Sequence, residues 1–188
     1  MSNIFTEAME AYKAIITDFV PMAKAAEAAQ KQMGEDFDAM LTVQQFDVVL
    51  QYSLLQIAVS DGNVTKSEIE FIRDITQFSD FCFFLESVGF KNVTWQKIYE
   101  TPESDLKTIL DACKESIVSA SHDFIYIFSL IDAGTEYDFS EDLKANLFKI
   151  MRAASAADGN ADGSEVDDCY IFEILAEITL NKKKLSKN

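Results

Sequence analysis

Apolar residues recur along this chain at helical spacing almost throughout. Phe46, Leu50, Leu54 and Ile57 fall on one helical stripe, with Val49 beside it. The run from Leu106 through Cys113, Ile117 and Phe124 to Ile131 keeps the same spacing, as one long helix or two placed end to end. Leu143, Leu147, Ile150, Met151 and Ala154 form a third stripe. No segment alternates apolar with polar over a useful length, and no Asn-Gly hairpin signal occurs. The pattern predicts an all-α helical bundle.

Punctuation refines the elements. Pro21 lies inside an Ala-rich helical pattern and predicts a break or kink there. Gly34 with Glu35 and Asp36 predicts a turn. Thr101-Pro102-Glu103 reads as an N-cap, a proline at the first helical position and an acid in the first turn. Ser140-Glu141-Asp142 is expected to start a helix in the same way. Leading helices are expected near 4–32 and 103–133, with short aromatic-rich helices between Asp80 and Glu100. The Lys-rich stretch from Lys182 to Lys187 is expected to be a solvated, fraying end.

One loop occurs twice. Asp61-Gly62-Asn63-Val64-Thr65-Lys66-Ser67-Glu68 matches Asp158-Gly159-Asn160-Ala161-Asp162-Gly163-Ser164-Glu165 at Asp, Gly, Asn, Ser and Glu. The same offset lays Phe46 on Leu143, Leu50 on Leu147, Leu54 on Met151, Ile57 on Ala154 and Ile69 on Val166. Loop and core stripe agree together, which predicts an internally duplicated helix–Asp-Gly loop–helix unit. The expected organisation is one helical domain over 1–188. Its first half is 1–100, its second half 101–181, and 182–188 is a basic tail.

Two explanations of the loops stand side by side. Gly62 and Gly159 suit positive φ. Thr65 with Glu68 forms a capping box, and Asp162 with Glu165 has the same spacing. Acids in a first helical turn also complement the helix dipole. The other explanation rests on density, because Asp158, Asn160, Asp162, Glu165, Asp167 and Asp168 crowd one short stretch. Carboxylates packed so closely repel one another, and a hard divalent cation would relieve the repulsion. Asp61, Asn63 and Glu68, with Asp158, Asn160, Asp162 and Glu165, are therefore candidate calcium or magnesium ligands. Oxygen donors favour those ions over zinc. The second loop fits the front of an EF-hand but places Cys169 where the bidentate Glu belongs. The first has Thr65 and Lys66 where Asp and Gly are needed.

Ile57-Ala58-Val59-Ser60-Asp61-Gly62 with Ser67-Glu68, and Ala156-Ala157-Asp158-Gly159 with Ser164-Glu165, resemble the small-small-Asp-Gly loop of the tellurite-resistance TerB-like family. That resemblance implies an all-helical fold with a duplicated helical unit. It also implies metal chelation and an association with stress or toxic-anion resistance. Asp61 and Glu68 match the family's acids in one half, and Asp158 and Glu165 in the other. Asp162-Gly163 makes the second loop more polar than the family pattern, and Ala161 weakens its apolar position.

Composition narrows the partners. The chain is 48% apolar with 15 Phe, enough for a substantial core. Its 32 acidic and 16 basic residues leave a net charge of −16, which repels phosphate backbones and anionic lipids. Nucleic-acid and membrane partners are not expected; a protein partner with a basic surface is. The N-terminal residues do not read as a signal peptide, and no apolar run reaches spanning length, so a cytoplasmic protein is expected. Cys82, Cys113 and Cys169 are read as reduced core thiols, and His122, the single histidine, as a partly buried or capping residue. No nucleophile–His pair, phosphate-cradling loop or dinucleotide fingerprint is present. The expectation is a non-catalytic protein, either a cation-binding module or a metal-free interaction scaffold with an acidic surface.

Overall fold

The computed structural model describes residues 3–60, 62–157 and 169–187. Among them are nine α-helices and no strand. In chain order they are α1 (Asn3–Met33), α2 (Ala39–Ser60), α3 (Lys66–Ile75), α4 (Phe81–Ser87), α5 (Trp95–Glu100), α6 (Glu103–Ala120), α7 (His122–Gly134), α8 (Phe139–Ser155) and α9 (Tyr170–Leu185). The all-α expectation holds. No helix of the described residues is long and apolar enough to cross a membrane.

α2 is the axis of the bundle. It is buried on nearly every face and touches α1, α3, α4, α6, α7, α8 and α9. A helix with no solvent face has little amphipathic periodicity, so its apolar residues pack all round. α1 lies along α8, and α7 along α9. The core closes on Phe128 of α7. Its ring stacks on Phe19 of α1 at 4.3 Å and on Phe139 of α8 at 5.8 Å, and meets Phe46 of α2 edge-on at 5.3 Å. Phe124 completes the group. Such pairs each contribute about 0.5–1.5 kcal/mol beyond their buried area.

The matched stripes are buried on both helices: Phe46, Leu50, Leu54 and Ile57 on α2, and Leu143, Leu147, Met151 and Ala154 on α8. The packing around them is not repeated. α1 runs extensively along α8, whereas α7 touches α2 only lightly. The alignment of Ile69 with Val166 falls on a residue outside the described ones.

The leading helix expected near 4–32 is present as α1, and of the two outcomes expected at Pro21 the break does not occur: α1 continues through it to Met33. Pro21 is exposed, so the Thr17 carbonyl that loses its intrahelical donor lies on the wet side of the helix. Other boundaries have local reasons of their own. α1 ends at Gly34, φ +79°, where Glu35 N–H donates to the Gln30 carbonyl at 3.0 Å and Gly34 N–H to Lys31 at 3.2 Å. The run from Leu106 to Ile131 takes the second of its two expected forms, two helices end to end, and divides at buried Ser121, whose hydroxyl turns back onto the Val118 carbonyl at 2.7 Å. Thr101 ends α5 instead of capping α6, because its hydroxyl donates to the Lys97 carbonyl at 2.7 Å; Pro102 takes the N-cap position. α8 begins at Phe139 with Asp138 as N-cap, ahead of Ser140. His122 is exposed at the start of α7, not partly buried. Lys182 is not part of a solvated end. It lies within α9 and bridges Asp132 at 3.0 Å and Asp138 at 3.3 Å, and the exposed stretch begins at Lys183.

Candidate functional site

The first Asp-Gly loop joins α2 to α3. Gly62 has φ +91°, a conformation that an L side chain adopts only with strain. A Cβ there would also sit 3.4 Å from Glu103 Oε2, so α6 closes against the loop. Val64 packs on the core behind it. Thr65 is the N-cap of α3. Its Oγ1 accepts from Glu68 N–H at 3.3 Å, while Glu68 Oε2 accepts from Thr65 N–H at 2.6 Å and from its hydroxyl at 2.8 Å. The expected capping box is present, and Glu68 is buried within it. Asn63 is exposed at the turn. Glu70, further along α3, pairs with Lys66 at 3.7 Å on the surface.

Of the expected cation ligands, the structure therefore places Asn63 and Glu68. Asn63 is exposed, and one Glu68 oxygen is committed to the cap. Asp61, Asp158, Asn160, Asp162 and Glu165 lie outside the described residues. Among the described residues no group of three or more His, Cys, Asp or Glu side chains is arranged to hold a metal ion.

Two acids that the sequence reading missed organise the bundle. Asp47 of α2 is wholly buried. Its Oδ1 accepts from the Tyr12 hydroxyl at 2.8 Å, and its Oδ2 from the N–H groups of Gln77, Phe78 and Ser79 at 3.2, 2.7 and 3.2 Å. One carboxylate thus fixes the α3–α4 connection against α1 and α2. Burial pushes its acid up to about 6, against the opposing pull of the Phe78, Tyr12, Gln77 and Ser79 donors. Gln51, one turn on, holds the same connection through Phe81 N–H at 2.6 Å and the Thr76 hydroxyl. In the other half Asp132 of α7 is also wholly buried. It accepts from Ser140 N–H at 3.1 Å, from the Ser140 hydroxyl and from Lys182. The signal for both was an acid set among apolar stripe positions, Phe46-Asp47-Val48 and Leu130-Ile131-Asp132.

Neither Cys82 nor Cys113 is a ready nucleophile. Burial pushes Cys82 up to about 12 and Cys113 up to about 11, so both are protonated at neutral pH. All three cysteines are buried, as expected of core thiols.

Concave surface lies at the α7–α8 joint. A groove of about 470 Å³ opens between α1 and this joint, with Pro21, Met22, Leu130 and Tyr137 as apolar walls and Asp18 and Asp142 as acids. Among the described residues that line it there is no lysine, arginine or histidine. Tyr137 is 78% exposed at the rim of the groove. The wall is fixed from behind by the Asp132–Ser140–Lys182 anchor. Thr17, whose carbonyl Pro21 leaves without its helical donor, lies on the same groove. A second groove, of about 500 Å³, runs between α8 and α9 beside the Phe148–Phe172 pair, with rings 4.8 Å apart. It carries both Lys144 and Glu141.

No family model, curated protein or solved structure matches the chain.

Proposed function

We propose that this chain is a non-catalytic interaction module that takes a basic amphipathic helix from a protein partner into the α1/α7–α8 groove. The observation that carries the reading is the groove's composition: apolar walls, two carboxylates and no cation among its described lining residues. A helix laid there would bury leucine-like side chains against Met22, Leu130 and Tyr137. Its lysines or arginines would face Asp18 and Asp142, and one of them could donate to the Thr17 carbonyl. The net charge of −16 would speed the encounter and make it salt-dependent.

The alternative is a TerB-like, divalent-cation-binding protein of stress or tellurite resistance. It keeps its support in the sequence of the second loop, Asp158 to Glu165, and in the family resemblance. One set of measurements separates the two readings. Labelled basic amphipathic peptides are titrated at low and high salt, beside acidic peptides of equal hydrophobicity. Thermal unfolding is followed in EDTA and in millimolar calcium or magnesium. The module reading expects saturable, salt-weakened binding of the basic peptides and no cation-specific change in stability. A stabilisation of about 2.7 kcal/mol at a hundredfold excess over Kd, lost in Asp158→Ala, would establish the cation site instead. Equal binding of acidic and basic peptides would rule out the acid-rimmed groove as the reason for binding.

A further inference from the structure

A smaller cleft lies far along the chain from that groove, between α4 and α5, and the groove reading is not needed to interpret it. α4 turns Phe81 and Phe84 inward, where their rings stack at 5.8 Å. Phe83 points the other way and is 73% exposed. It lines a cleft of about 230 Å³ together with Trp95, Val93, Asp80, Glu86 and Cys82. The far wall is held in place by backbone geometry. Gly89 at φ +103° ends α4, with Phe90 N–H donating to the Leu85 carbonyl at 3.0 Å and Gly89 N–H to Glu86 at 3.2 Å. Asn92 then takes φ +56°, and Thr94 caps α5 by accepting from Lys97 N–H at 3.2 Å.

Two features of this cleft point to a ligand. Two aromatic side chains line a space large enough for a small head group. The only charged residues lining it, among those described, are Asp80 and Glu86. The field is already negative at the cleft floor. After burial, the next causes that push the Cys82 thiol upward are Asp80 and then Glu86.

We propose that this cleft binds the alkylammonium head of a lysine side chain, plain or methylated, presented by a partner polypeptide. The cation would lie against the Phe83 and Trp95 rings, where the ring quadrupole attracts it. Asp80 and Glu86 supply the countercharge. A compact ammonium suits so small a space better than the planar, forked guanidinium of arginine.

The chain's one tryptophan is Trp95, so its emission reports on this cleft alone. The probes are Nα-acetyl-lysine methylamide, its Nε-trimethyl form, the arginine counterpart and the uncharged norleucine counterpart. The proposal expects a saturable change with both lysine probes and none with norleucine. Phe83→Ala and Glu86→Gln should each weaken binding about two- to fivefold. Both side chains are exposed, and circular dichroism of each variant verifies that its helices persist. An equal response to norleucine, no response to either lysine probe, tighter binding of the arginine probe, or parent-like titration of both variants would each overturn it. These small probes do not span the α1/α7–α8 groove, so the result stands apart from the outcome of the peptide titration.

Discussion

Asp47 on α2 and Asp132 on α7 are both wholly buried acids that hold a joint between helices. Their donors differ. Asp47 is met only by neutral groups, three backbone N–H groups and the Tyr12 hydroxyl. Asp132 is met by Ser140 and by the ammonium of Lys182, whose side chain is 29% exposed. A carboxylate surrounded by neutral donors bears its desolvation alone, and its acid rises to about 6. A carboxylate with a cation at 3.0 Å ties its joint to another helix instead, here the far end of α9. The same task is done once by local backbone and once by a long-range ion pair.

The largest test of that contrast is Asp47→Ala. It strands the N–H groups of Gln77, Phe78 and Ser79 and the Tyr12 hydroxyl, so we expect a loss of at least about 3 kcal/mol in urea unfolding. A loss below about 1 kcal/mol would mean that water or rearrangement replaces the carboxylate easily. Next comes Lys182→Met. Asp132 is left without its cation, but the partial exposure of Lys182 discounts the cost to about 1–2 kcal/mol. Adding Asp132→Asn should restore part of it, with a coupling of about 0.5–3 kcal/mol in the double-mutant cycle. Strictly additive losses would show that the ion pair is idle.

The smallest effect is a slope. Asp47 binds its proton more tightly when folded than when unfolded, so its contribution favours the folded state at low pH. That contribution declines as pH rises from about 4 through about 6. Asp47→Asn should remove this component from a stability–pH series, leaving the variant relatively better off at pH 7 than at pH 4. An unchanged difference between parent and variant across that range would mean that Asp47 keeps an ordinary carboxylate affinity.

These anchors also mark where sequence reasoning stopped. Periodicity was enough to find the α2 and α8 stripes, because every member of them is apolar and lies on one face. Gly62, Thr65 and Glu68 were readable because caps are written in neighbouring residues. Pro21 does not break α1, since whether a proline breaks a helix depends on whether the freed carbonyl can reach water, which is a tertiary fact. Asp47 and Asp132 escaped the sequence analysis because their partners lie as far off as Ser79 and Lys182. The acid-rimmed groove needed Asp18 and Asp142 side by side, and the aromatic cleft needed Phe83 beside Trp95 across a loop with two left-handed residues. Asp61 and the second loop lie outside the described residues, so the paired-loop idea rests on sequence alone.

The rings gathered around Phe128 come from α1, α2, α7 and α8, drawn from both ends of the chain. A polypeptide cut near residue 100 would deliver Phe19 and Phe46 on one fragment and Phe124, Phe128 and Phe139 on the other. Neither piece would own a finished interior. The two fragments should therefore remain loosely ordered when kept apart and acquire cooperative melting only when mixed. On that expectation neither half of the sequence melts cooperatively without the other, because each lacks rings that the shared interior needs.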